Sequence, residues 1–432
     1  MTGPFDGLTV VEFGQFVVVP FCAQLLADAG ARVIKVEPPT GDSYRSGPAQ
    51  LAPGETRQFL IKNRGKESIA IDLAHPEAPA VVHRLIEAAD VVLVNLSPAA
   101  VERRGLDYDS VAGINPRAVY GAVTAFGHVG PEAGLPGMDV VVQARSGLMT
   151  SLAAEEDGLP RHSEVQLADY STSLLLFGGI ASALYVRERT GVGQRVDASL
   201  LGTALTIQNN SLAHVYGEDD WRHEFVETRL PELRRAGAPH AEVEQVRRSM
   251  RPDPPSHTAH YRVFRTQDGS ISIGAGSGHA RRRLAEVTGL DGSLADTDPA
   301  GFGVRLAGVL ASRTSAEWVE LFRANQVPVA EVRHLEEMFF DPHIEAEGLV
   351  ADYDHETVGR YRGIGVPLRF SATPMRAHAP SPSFARHTTA LLTELGFAEA
   401  DVTALIEAGA VVAGSPVDAA ADPSSVPGPS RR

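Results

Sequence analysis

The stretch LTVVEFGQFVVVPFCAQLLADAGARVIKVE, residues 8–37, decides the fold. Its first six residues, Leu8–Phe13, form a short apolar run rich in β-branched side chains, which predicts a buried strand. A helical pattern follows over Pro20–Gly30 and ends on a glycine, the residue that most often terminates helices. Ala31–Glu37 is a second apolar run. Because two strands joined by a helix cannot form a hairpin, the stretch predicts two parallel strands with a crossover helix.

The same alternation continues through the first half of the chain. Three further apolar runs, SIAIDL, DVVLVN and AVYGAVTAFG, are separated by helical patterns. This repeated order predicts an α/β domain in which a parallel sheet is covered by helices on both faces. Ligands of such sheets bind beyond the carboxyl ends of the strands. The rule indicates the loops that begin near Gly14, Pro38, Asn95 and Gly127.

The alternation of apolar and helical runs ends at about residue 215, and the composition becomes more charged. Residues 218–257 are charged and arginine-rich, which predicts helices that lead to a second domain. Tyr261–Ala275 contains two β-rich runs around a polar turn and predicts a hairpin. A second strand pair is predicted in residues 349–370. The last residues are rich in Pro, Ala, Ser and Asp, so they are predicted to be disordered.

Composition narrows the classes of function. The formal net charge of −15 over 432 residues argues against nucleic acid or an anionic membrane as the main partner, because both bind basic surfaces. The one cysteine, Cys22, excludes an intrachain disulfide and favours a reducing compartment. No signal-peptide pattern is present, and no run approaches about 18 uninterrupted apolar residues. We therefore predict a cytoplasmic protein without a membrane span.

Generic motifs do not identify a reaction. The loop after the first strand reads GQFVVVP and lacks the spaced glycines of a dinucleotide site, so an NAD-dependent oxidoreductase is the weakest alternative. The sequence contains no P-loop, nucleophile elbow or HExxH motif. His257 and His260 stand in a polar segment without a patterned third ligand, so no metal site is predicted.

One acidic residue is open to two interpretations. Asp169 stands in QLADYSTSLLLFGG, residues 166–179, at the start of a long apolar pattern. An aspartate followed by Ser171 and Thr172 is typical of a helix cap. A carboxylate against an apolar wall is also a candidate nucleophile or general base, because partial desolvation increases its reactivity. These residues alone favour the cap.

The order of several longer motifs resembles that of the family III CoA-transferases, which include formyl-CoA:oxalate and carnitine CoA-transferases. Residues 8–45, ending in KVEPPTGDSYR, are similar to the family's opening strand, loop and helix. Later motifs of the family are similar to five further stretches of this chain: NRGKESIAIDL (63–73), NLSPAAVERRGL (95–106), PGMDVVVQARSGLM (136–149), QLADYSTSLLLFGG (166–179) and GVGQRVDASLL (191–201). The resemblance covers nearly all of the chain outside about 218–256 and the tail.

The resemblance implies a Rossmann-like large domain interrupted by a smaller α+β domain, and a homodimer of two interlocked chains. Carried over to this sequence, residues 1–215 and 370–410 form the large CoA-binding domain. The remainder is divided into a helical linker at 216–260, the small α+β domain at 261–345, return linker strands at 346–369 and a disordered tail at 411–432.

The resemblance also implies a reaction, with Asp169 as its nucleophile. The Asp169 carboxylate attacks an acyl-CoA to give a mixed anhydride, and CoA then forms an aspartyl-CoA thioester. An incoming carboxylic acid reverses these steps and leaves as a new acyl-CoA. Backbone N–H groups at the helix start are expected to stabilise the developing anion. Coenzyme A and acyl-CoA are thus substrates, and no tightly bound cofactor or metal is implied.

The motif positions imply further site residues. Three cations are expected to bind the CoA phosphates: Arg45, Lys66 and Arg103. Asn63, Asn95 and Leu96, from the same motifs, are expected to lie in the CoA site. The acyl pocket is expected to be lined by Gln15, Phe16, Val17 and Val18, with Asp139 holding or polarising the acyl group.

Departures from the family pattern leave alternatives open. An α-methylacyl-CoA racemase shares the fold but places a histidine base where this chain has Met138, and methionine cannot transfer a proton. A catalytically silent CoA-binding protein is a further alternative. Pro38 stands where the family often has an arginine, so Arg45 is a candidate for the missing contact.

Overall fold

A computed structural model describes residues 3–47, 49–251 and 259–414. The chain divides into two units. Unit 1 contains residues 1–213 and 343–432, and unit 2 contains residues 214–342.

The strands are short, as expected for buried parallel strands that are separated by helices. In unit 1 they are β1 Thr9–Phe13, β2 Arg32–Glu37, β3 Gln50–Ala52, β4 Glu55–Thr56, β5 Lys66–Ile71, β6 Val91–Val94, β7 Val119–Thr124, β8 Glu155–Glu156, β9 Leu159–Pro160 and β10 Arg195–Ser199. Unit 2 contributes β11 Tyr261–Arg265, β12 Ser270–Gly274 and β13 Val329–Glu331. The chain returns to unit 1 for β14 Val350–His355, β15 Gly359–Ile364 and β16 Val411–Val412.

The helices alternate with the strands in unit 1 and predominate in unit 2. Those before residue 214 are α1 Val18–Asp28, α2 Arg57–Leu60, α3 Ala78–Glu87, α4 Pro98–Arg103, α5 Tyr108–Ile114, α6 Asp139–Arg145, α7 Leu148–Ser151, α8 Leu167–Thr190, α9 Leu200–Thr206 and α10 Asn209–Leu212. Those that follow are α11 Asp220–Glu224, α12 Leu230–Arg235, α13 His240–Met250, α14 Gly278–Thr288, α15 Leu294–Thr297, α16 Pro299–Leu310, α17 Ser315–Ala324, α18 Pro342–Ala346, α19 Thr388–Glu394 and α20 Glu399–Glu407.

Unit 1 is built on a seven-stranded sheet with the order β10-β7-β6-β1-β2-β5-β16. Neighbouring strands are parallel except β16, which runs antiparallel to β5. The predicted α/β fold with a parallel sheet is thereby confirmed. From β1 the chain moves outward through β2 and β5, and it then returns to the other side of β1 at β6. This reversal opens a crevice at the carboxyl ends of β1 and β6, where open α/β sheets bind ligands.

The sheet is apolar on both faces because helices cover both. Val11, Ile34 and Val92 lie side by side in register and pack into one core with α3, α5, α19 and α20. Val10 and Val33, one residue earlier, point to the opposite face and pack with α1, α8 and α9. Alternate side chains of a strand point to opposite faces, so these continuous apolar runs fill two cores at once.

Unit 2 has a three-stranded antiparallel sheet, β11-β12-β13. The predicted hairpin corresponds to β11 and β12, in which Phe264 pairs with Ile271. Helices α14, α16 and α17 cover the sheet, and their core includes Phe302 and Trp318. The Trp318 indole N–H donates to the Leu310 carbonyl at 2.8 Å, which satisfies the one polar group of this buried ring.

Two parts of the predicted organisation differ in the structure. The strand pair predicted in residues 349–370 is present as the hairpin β14–β15, but residues 346–369, predicted as a linker, belong to unit 1. Val411 and Val412, predicted to begin the tail, form β16, because Val411 is buried opposite Ile71. The rest of the predicted tail, from residue 415, and residues 252–258 of the predicted helical linker lie outside the described residues.

Helix α8 is, among the described residues, the one helix long and apolar enough to cross a membrane by length and composition. It packs inside unit 1, where Leu176 and Ile180 join the core formed with α1 and β7. A core helix passes the same composition test as a membrane span, and burial against the sheet accounts for the apolar side chains on this face.

Candidate active site

The Asn95 side chain joins the carboxyl end of β6 to the backbone of the loop after β1, where the strand order reverses. The Gln15 backbone N–H donates to Asn95 Oδ1 at 3.0 Å, and Asn95 Nδ2 donates to the Gln15 carbonyl at 2.9 Å. Both residues were predicted for the site, and the structure brings them together. Their hydrogen bonds hold the loop after β1, in which Phe16 has a left-handed backbone conformation with φ of 67°. Such strain in a non-glycine residue is most often found at functional sites.

A cavity of about 490 Å³ opens beside this pair of hydrogen bonds. The predicted residues in its lining are Phe16, Val17, Val18, Asn95, Leu96 and Asp169. The remaining walls come from the end of β7, the start of α4, residues 133–138 and α9. Most of these side chains are apolar and only a few polar groups point inward, an arrangement typical of a small-molecule site.

Asp169 is the third residue of α8 and is 8% exposed. Its backbone is held in the helix, but its carboxylate accepts no hydrogen bond from the part of the chain that the structure describes. Both carboxylate oxygens are therefore available to a ligand in the cavity.

The first turn of α8 is capped by Asp139 rather than by Asp169. Asp139 Oδ1 accepts hydrogen bonds from the backbone N–H groups of Ala168 at 2.8 Å and Asp169 at 3.1 Å. Its other oxygen accepts from the Gln143 side chain, and the Ser163 N–H in turn donates to Gln143 Oε1 at 2.9 Å. The helix-cap interpretation of Asp169 is thus wrong, since α6 supplies the cap and the Asp169 carboxylate stays free.

Burial raises the pKa of Asp169 to about 7, from an ordinary value of about 3.9. The negative charge of Asp139 raises this pKa further, whereas the positive charge of Lys62 opposes the increase. A carboxylate that is destabilised in this way is more basic and a better nucleophile than one in water. Perturbed acids of this kind cluster at catalytic sites.

Lys62 is a candidate site residue that the sequence reasoning missed. It is 2% exposed, and Nζ lies 5.1 Å from the centre of the Tyr44 ring and 5.8 Å from that of Tyr170. Within the described ranges it forms no ion pair with a carboxylate within 4 Å. Burial lowers the pKa of Lys62 to about 8, although Asp169 and Asp42 act in the opposite direction.

A compositional signal for this residue was present in the sequence. The chain has 39 Lys and Arg residues, but only Lys35, Lys62 and Lys66 are lysines. All three are buried. In a chain that otherwise uses arginine, a buried lysine marks a position where a compact ammonium is required.

Lys66 and Asn63, both predicted for CoA binding, take part in a buried network instead. Lys66 Nζ donates to Glu12 at 2.7 Å, to the Pro20 carbonyl at 2.8 Å and to Asn63 Oδ1 at 2.9 Å. The other Glu12 oxygen accepts from Lys35 at 2.9 Å. Because these donors and acceptors satisfy one another without solvent, Lys66 is not positioned to bind a phosphate.

Arg45 also lies in a buried network. It donates to both Glu37 oxygens, at 2.7 and 2.9 Å, and to Glu55 at 2.8 Å. Its guanidinium carbon lies 3.6 Å from the centre of the Phe59 ring, and a further N–H donates to the Pro382 carbonyl at 2.8 Å. The expectation that Arg45 replaces the contact missing at Pro38 therefore does not fit the geometry.

A different cation lies beside Pro38. Pro38, Gln15, Leu96 and Arg104 line a crevice of about 100 Å³ at the ends of β1, β2 and β5. Arg104 forms no ion pair with the described residues. The predicted cation, Arg103, is exposed and lines neither this crevice nor the larger cavity. Consecutive side chains of a helix point in directions about 100° apart. Arg103 and Arg104 therefore lie on different surfaces although they are neighbours in the sequence.

Among residues 3–47, 49–251 and 259–414, no group of three His, Cys, Asp or Glu side chains could hold a metal ion. Cys22 is fully buried, and burial raises the pKa of its thiol far above the ordinary range. A thiol that stays protonated is a poor nucleophile, so Cys22 is not a candidate catalytic residue.

The strand order and the buried carboxylate in the cavity wall are those of an α/β protein with a small-molecule site at the carboxyl ends of its strands. The model of CoA-transferase family III matches residues 5–388. A succinate–glutarate CoA-transferase of Agrobacterium fabrum is 32% identical over 418 residues, which cover 93% of this chain and 98% of the relative. An acetyl-CoA:oxalate CoA-transferase of Acetobacter aceti is 31% identical over 362 residues, or 81% and 85% of the two chains. A crystal structure of Rv3272 from Mycobacterium tuberculosis aligns with a TM-score of 0.73 at 28% identity, covering 90% of this chain and 99% of that one. The chain belongs to CoA-transferase family III.

Proposed function

We propose that the protein transfers CoA from an acyl-CoA to a free carboxylic acid, with Asp169 as the nucleophile. The observation that carries this proposal is the Asp169 carboxylate, which is desolvated, free of hydrogen bonds from the described residues and part of the cavity wall. The Agrobacterium and Acetobacter relatives are named for this class of reaction.

The reaction proceeds through two covalent forms of Asp169. The carboxylate attacks the thioester carbon of the donor, the carbon–sulfur bond breaks, and a mixed anhydride and CoA thiolate result. The thiolate then attacks the aspartyl carbonyl of the anhydride, which releases the donor acid and leaves an aspartyl-CoA thioester. An acceptor carboxylate runs the same two steps backward. Each step exchanges one activated acyl bond for another of similar energy, so no ATP is consumed.

The backbone N–H groups at the start of α8, which were expected to stabilise the developing anion, are already engaged in other hydrogen bonds. The N–H groups of Ala168 and Asp169 already donate to Asp139, and that of Tyr170 donates to the Gln166 carbonyl. These three donors are not directed at a reacting oxygen. The remaining stabilisation comes from the partial positive charge of the helix N-terminus and from the ammonium of Lys62.

We place CoA across the carboxyl ends of the strands. The thioester lies in the larger cavity beside Asp169, and the phosphates lie at the smaller crevice, where Arg104 is the free cation. Leu96 lines both spaces, so one extended molecule can occupy them together. In this arrangement Arg104 takes the anion-binding role that the sequence assigned to Arg103, Arg45 and Lys66.

A second copy of the chain is the proposed partner. One face of α8 leaves large apolar side chains exposed: Leu174 (57%), Leu175 (53%), Tyr185 (64%) and Val186 (41%). The two pairs stand 11 residues apart, about three helical turns, so they lie on one face of α8, which a homodimer would bury. Sedimentation equilibrium at micromolar concentration is expected to give a dimer, and a monomer that stays active would contradict this assignment.

Met138 lines the cavity next to Asp139, and a thioether carries no proton for exchange at an α-carbon. The lining of the cavity therefore does not favour racemisation. The test is incubation with succinyl-CoA and isotopically labelled glutarate, followed by mass spectrometry of the CoA thioesters. Label in glutaryl-CoA supports the proposal. Hydrogen exchange at the α-carbon without acyl exchange, or CoA binding with neither reaction, contradicts it.

Asp139→Asn is expected to move the acid limb of the pH–rate profile to lower pH. The amide keeps an oxygen for the Ala168 and Asp169 N–H groups but removes the negative charge that raises the pKa of Asp169. A larger fraction of Asp169 is then ionised at pH 6, and kcat/KM for acyl-CoA should rise about threefold to fivefold there.

Asp139→Ala provides the matched control for the capping role. It removes both the charge and the acceptor, and should cost about 1 kcal/mol of stability through the lost cap. An acid limb in Asp139→Asn that stays in place, or moves to higher pH, would show that Asp139 does not set the ionisation of Asp169.

A further inference from the structure

Lys62 stands out among the cations of unit 1 because nothing in the described structure neutralises it at close range. Lys35 and Lys66 share Glu12, and Arg45 is paired with Glu37 and Glu55. Lys62 is equally buried but is surrounded by the Tyr44 and Tyr170 rings and has no carboxylate within 4 Å. A buried ammonium without a paired anion is costly, and this cost falls when an anion binds beside it.

The reaction supplies such an anion at every stage. In the resting enzyme the negative charge is on Asp169, in the anhydride it is on the CoA thiolate, and in the thioester it is on the free acid. One negative charge is present throughout and moves among three positions around the Asp169 carboxyl carbon. Of the cations described, Lys62 is the one whose charge acts on the ionisation of Asp169.

We propose that Lys62 binds the carboxylate of the free acid substrate while Asp169 is held as its CoA thioester. This inference rests on the proposed function, and it makes Lys62 a substrate-binding residue for the second half of the reaction. In the resting enzyme the ammonium lies 5.8 Å from the ring of Tyr170, the residue that follows Asp169, and the substrate carboxylate supplies the negative charge after Asp169 becomes neutral.

The chemistry fixes where the acid must lie. To attack, one of its carboxylate oxygens must come within about 3–3.5 Å of the Asp169 carbonyl carbon. The carbon–oxygen bond of the anhydride forms, the carbon–sulfur bond breaks, and the electron pair leaves with the CoA thiolate. The thiolate then attacks the carbonyl carbon of the new acyl group and releases the Asp169 carboxylate. Lys62 forms no covalent bond and stays protonated throughout.

The other charged groups around Lys62 do not replace it. Asp42 and Asp139 carry the same sign as the incoming acid, and Asp42 is paired with Lys35 at 2.8 Å. Burial and the nearby negative charges raise the pKa of Tyr44 to about 12, and burial with the Asp169 charge raises that of Tyr170. Both phenols therefore stay neutral in the working pH range. Of these three groups, only the Lys62 ammonium changes its charge when the pH is raised in this range.

The experiment isolates the second half-reaction. The aspartyl-CoA enzyme is prepared with succinyl-CoA, freed of succinate by gel filtration and mixed with increasing glutarate, and glutaryl-CoA formation is followed in a single turnover. Lys62→Met, which keeps the length of the side chain without its charge, is expected to weaken the apparent glutarate affinity about tenfold to a hundredfold. Lys62→Arg, which retains a charge, is expected to recover part of this loss.

The wild-type enzyme gives a readout that needs no variant. The pKa of Lys62 is about 8 beside ionised Asp169 and is lower in the thioester, where Asp169 is neutral. Glutarate affinity should therefore fall about tenfold for each pH unit above this lower value. The decline should be absent from Lys62→Met and shifted beyond the accessible range in Lys62→Arg. A structural role alone would not change this pH dependence.

The outcomes separate the two proposals. If wild type forms no aspartyl-CoA thioester, the proposed function fails. If the thioester forms in wild type and in Lys62→Met, and both bind glutarate equally well at every pH, only the role of Lys62 is overturned. If Lys62→Met does not fold, a glutarate affinity in wild type that stays constant from pH 7 to pH 9.5 overturns it equally.

Discussion

Asp169→Asn is expected to lower the rate of CoA transfer by at least about 10⁴-fold, because the amide cannot form the anhydride or the thioester. The carboxylate is the reacting group in every step, and no neighbouring carboxylate is placed to replace it, since Asp139 is engaged with the backbone of α8. Exchange of labelled acid into acyl-CoA measures the loss. A variant that keeps more than a tenth of the activity would contradict the assignment.

Folding of this variant is checked through its stability. Because the pKa of Asp169 is raised in the folded protein, wild type loses stability as the pH rises from about 4 to 7, where the unfolded chain has released this proton and the folded chain has not. Above pH 7 Asp169→Asn should therefore be at least as stable as wild type, by up to on the order of 3 kcal/mol. Asp109→Asn, in the exposed first turn of α5, is the matched control and should leave activity unchanged.

Glu12→Gln is expected to destabilise the folded protein by about 3–5 kcal/mol. Glu12 is 0% exposed and binds Lys35 and Lys66 through its two oxygens, at 2.9 and 2.7 Å. The amide leaves the Lys66 ammonium without a paired carboxylate and Lys35 with Asp42 alone. Burying an unpaired ammonium costs more free energy than losing a surface ion pair. Urea unfolding followed by circular dichroism measures the change as a lower midpoint at unchanged slope.

Glu394→Gln is the matched control for this prediction. Glu394 is paired with Arg32, but its side chain is 57% exposed, so water screens the pair and its loss should cost less than about 1 kcal/mol. If Glu12→Gln were as mild as Glu394→Gln, the buried network would not stabilise the packing of β1, β2 and β5.

The fold of unit 1 could be predicted from local patterns because each short apolar run, followed by a helical pattern, is typical of a buried strand in a parallel sheet. Val10 and Val11 are adjacent in sequence yet face different cores, which is what a strand buried on both faces requires. The motif around Asp169 indicated this residue as a site candidate. The rule for strand ends indicated the loops that begin near Gly14 and Asn95, which the structure joins through the Gln15–Asn95 hydrogen bonds.

The partners of the charged residues could not be predicted, because they depend on tertiary contacts. Lys66 and Arg45 have the side chains that bind phosphate, but buried carboxylates from distant segments take up their charge. The cap of α8 comes from Asp139, 30 residues before Asp169, and no local capping pattern reveals it. Lys62 belongs to no motif, and its significance depends on the absence of a nearby carboxylate, which only the folded chain shows.

The most direct test of the account is the identity of the covalently modified residue. The enzyme is incubated with succinyl-CoA, treated with hydroxylamine, digested and analysed by mass spectrometry for an aspartyl hydroxamate. If Asp169 is the nucleophile, the hydroxamate should form at Asp169 in wild type, and none should form in Asp169→Asn. Acyl exchange with a hydroxamate at another residue, or acyl exchange with none at all, would contradict the account.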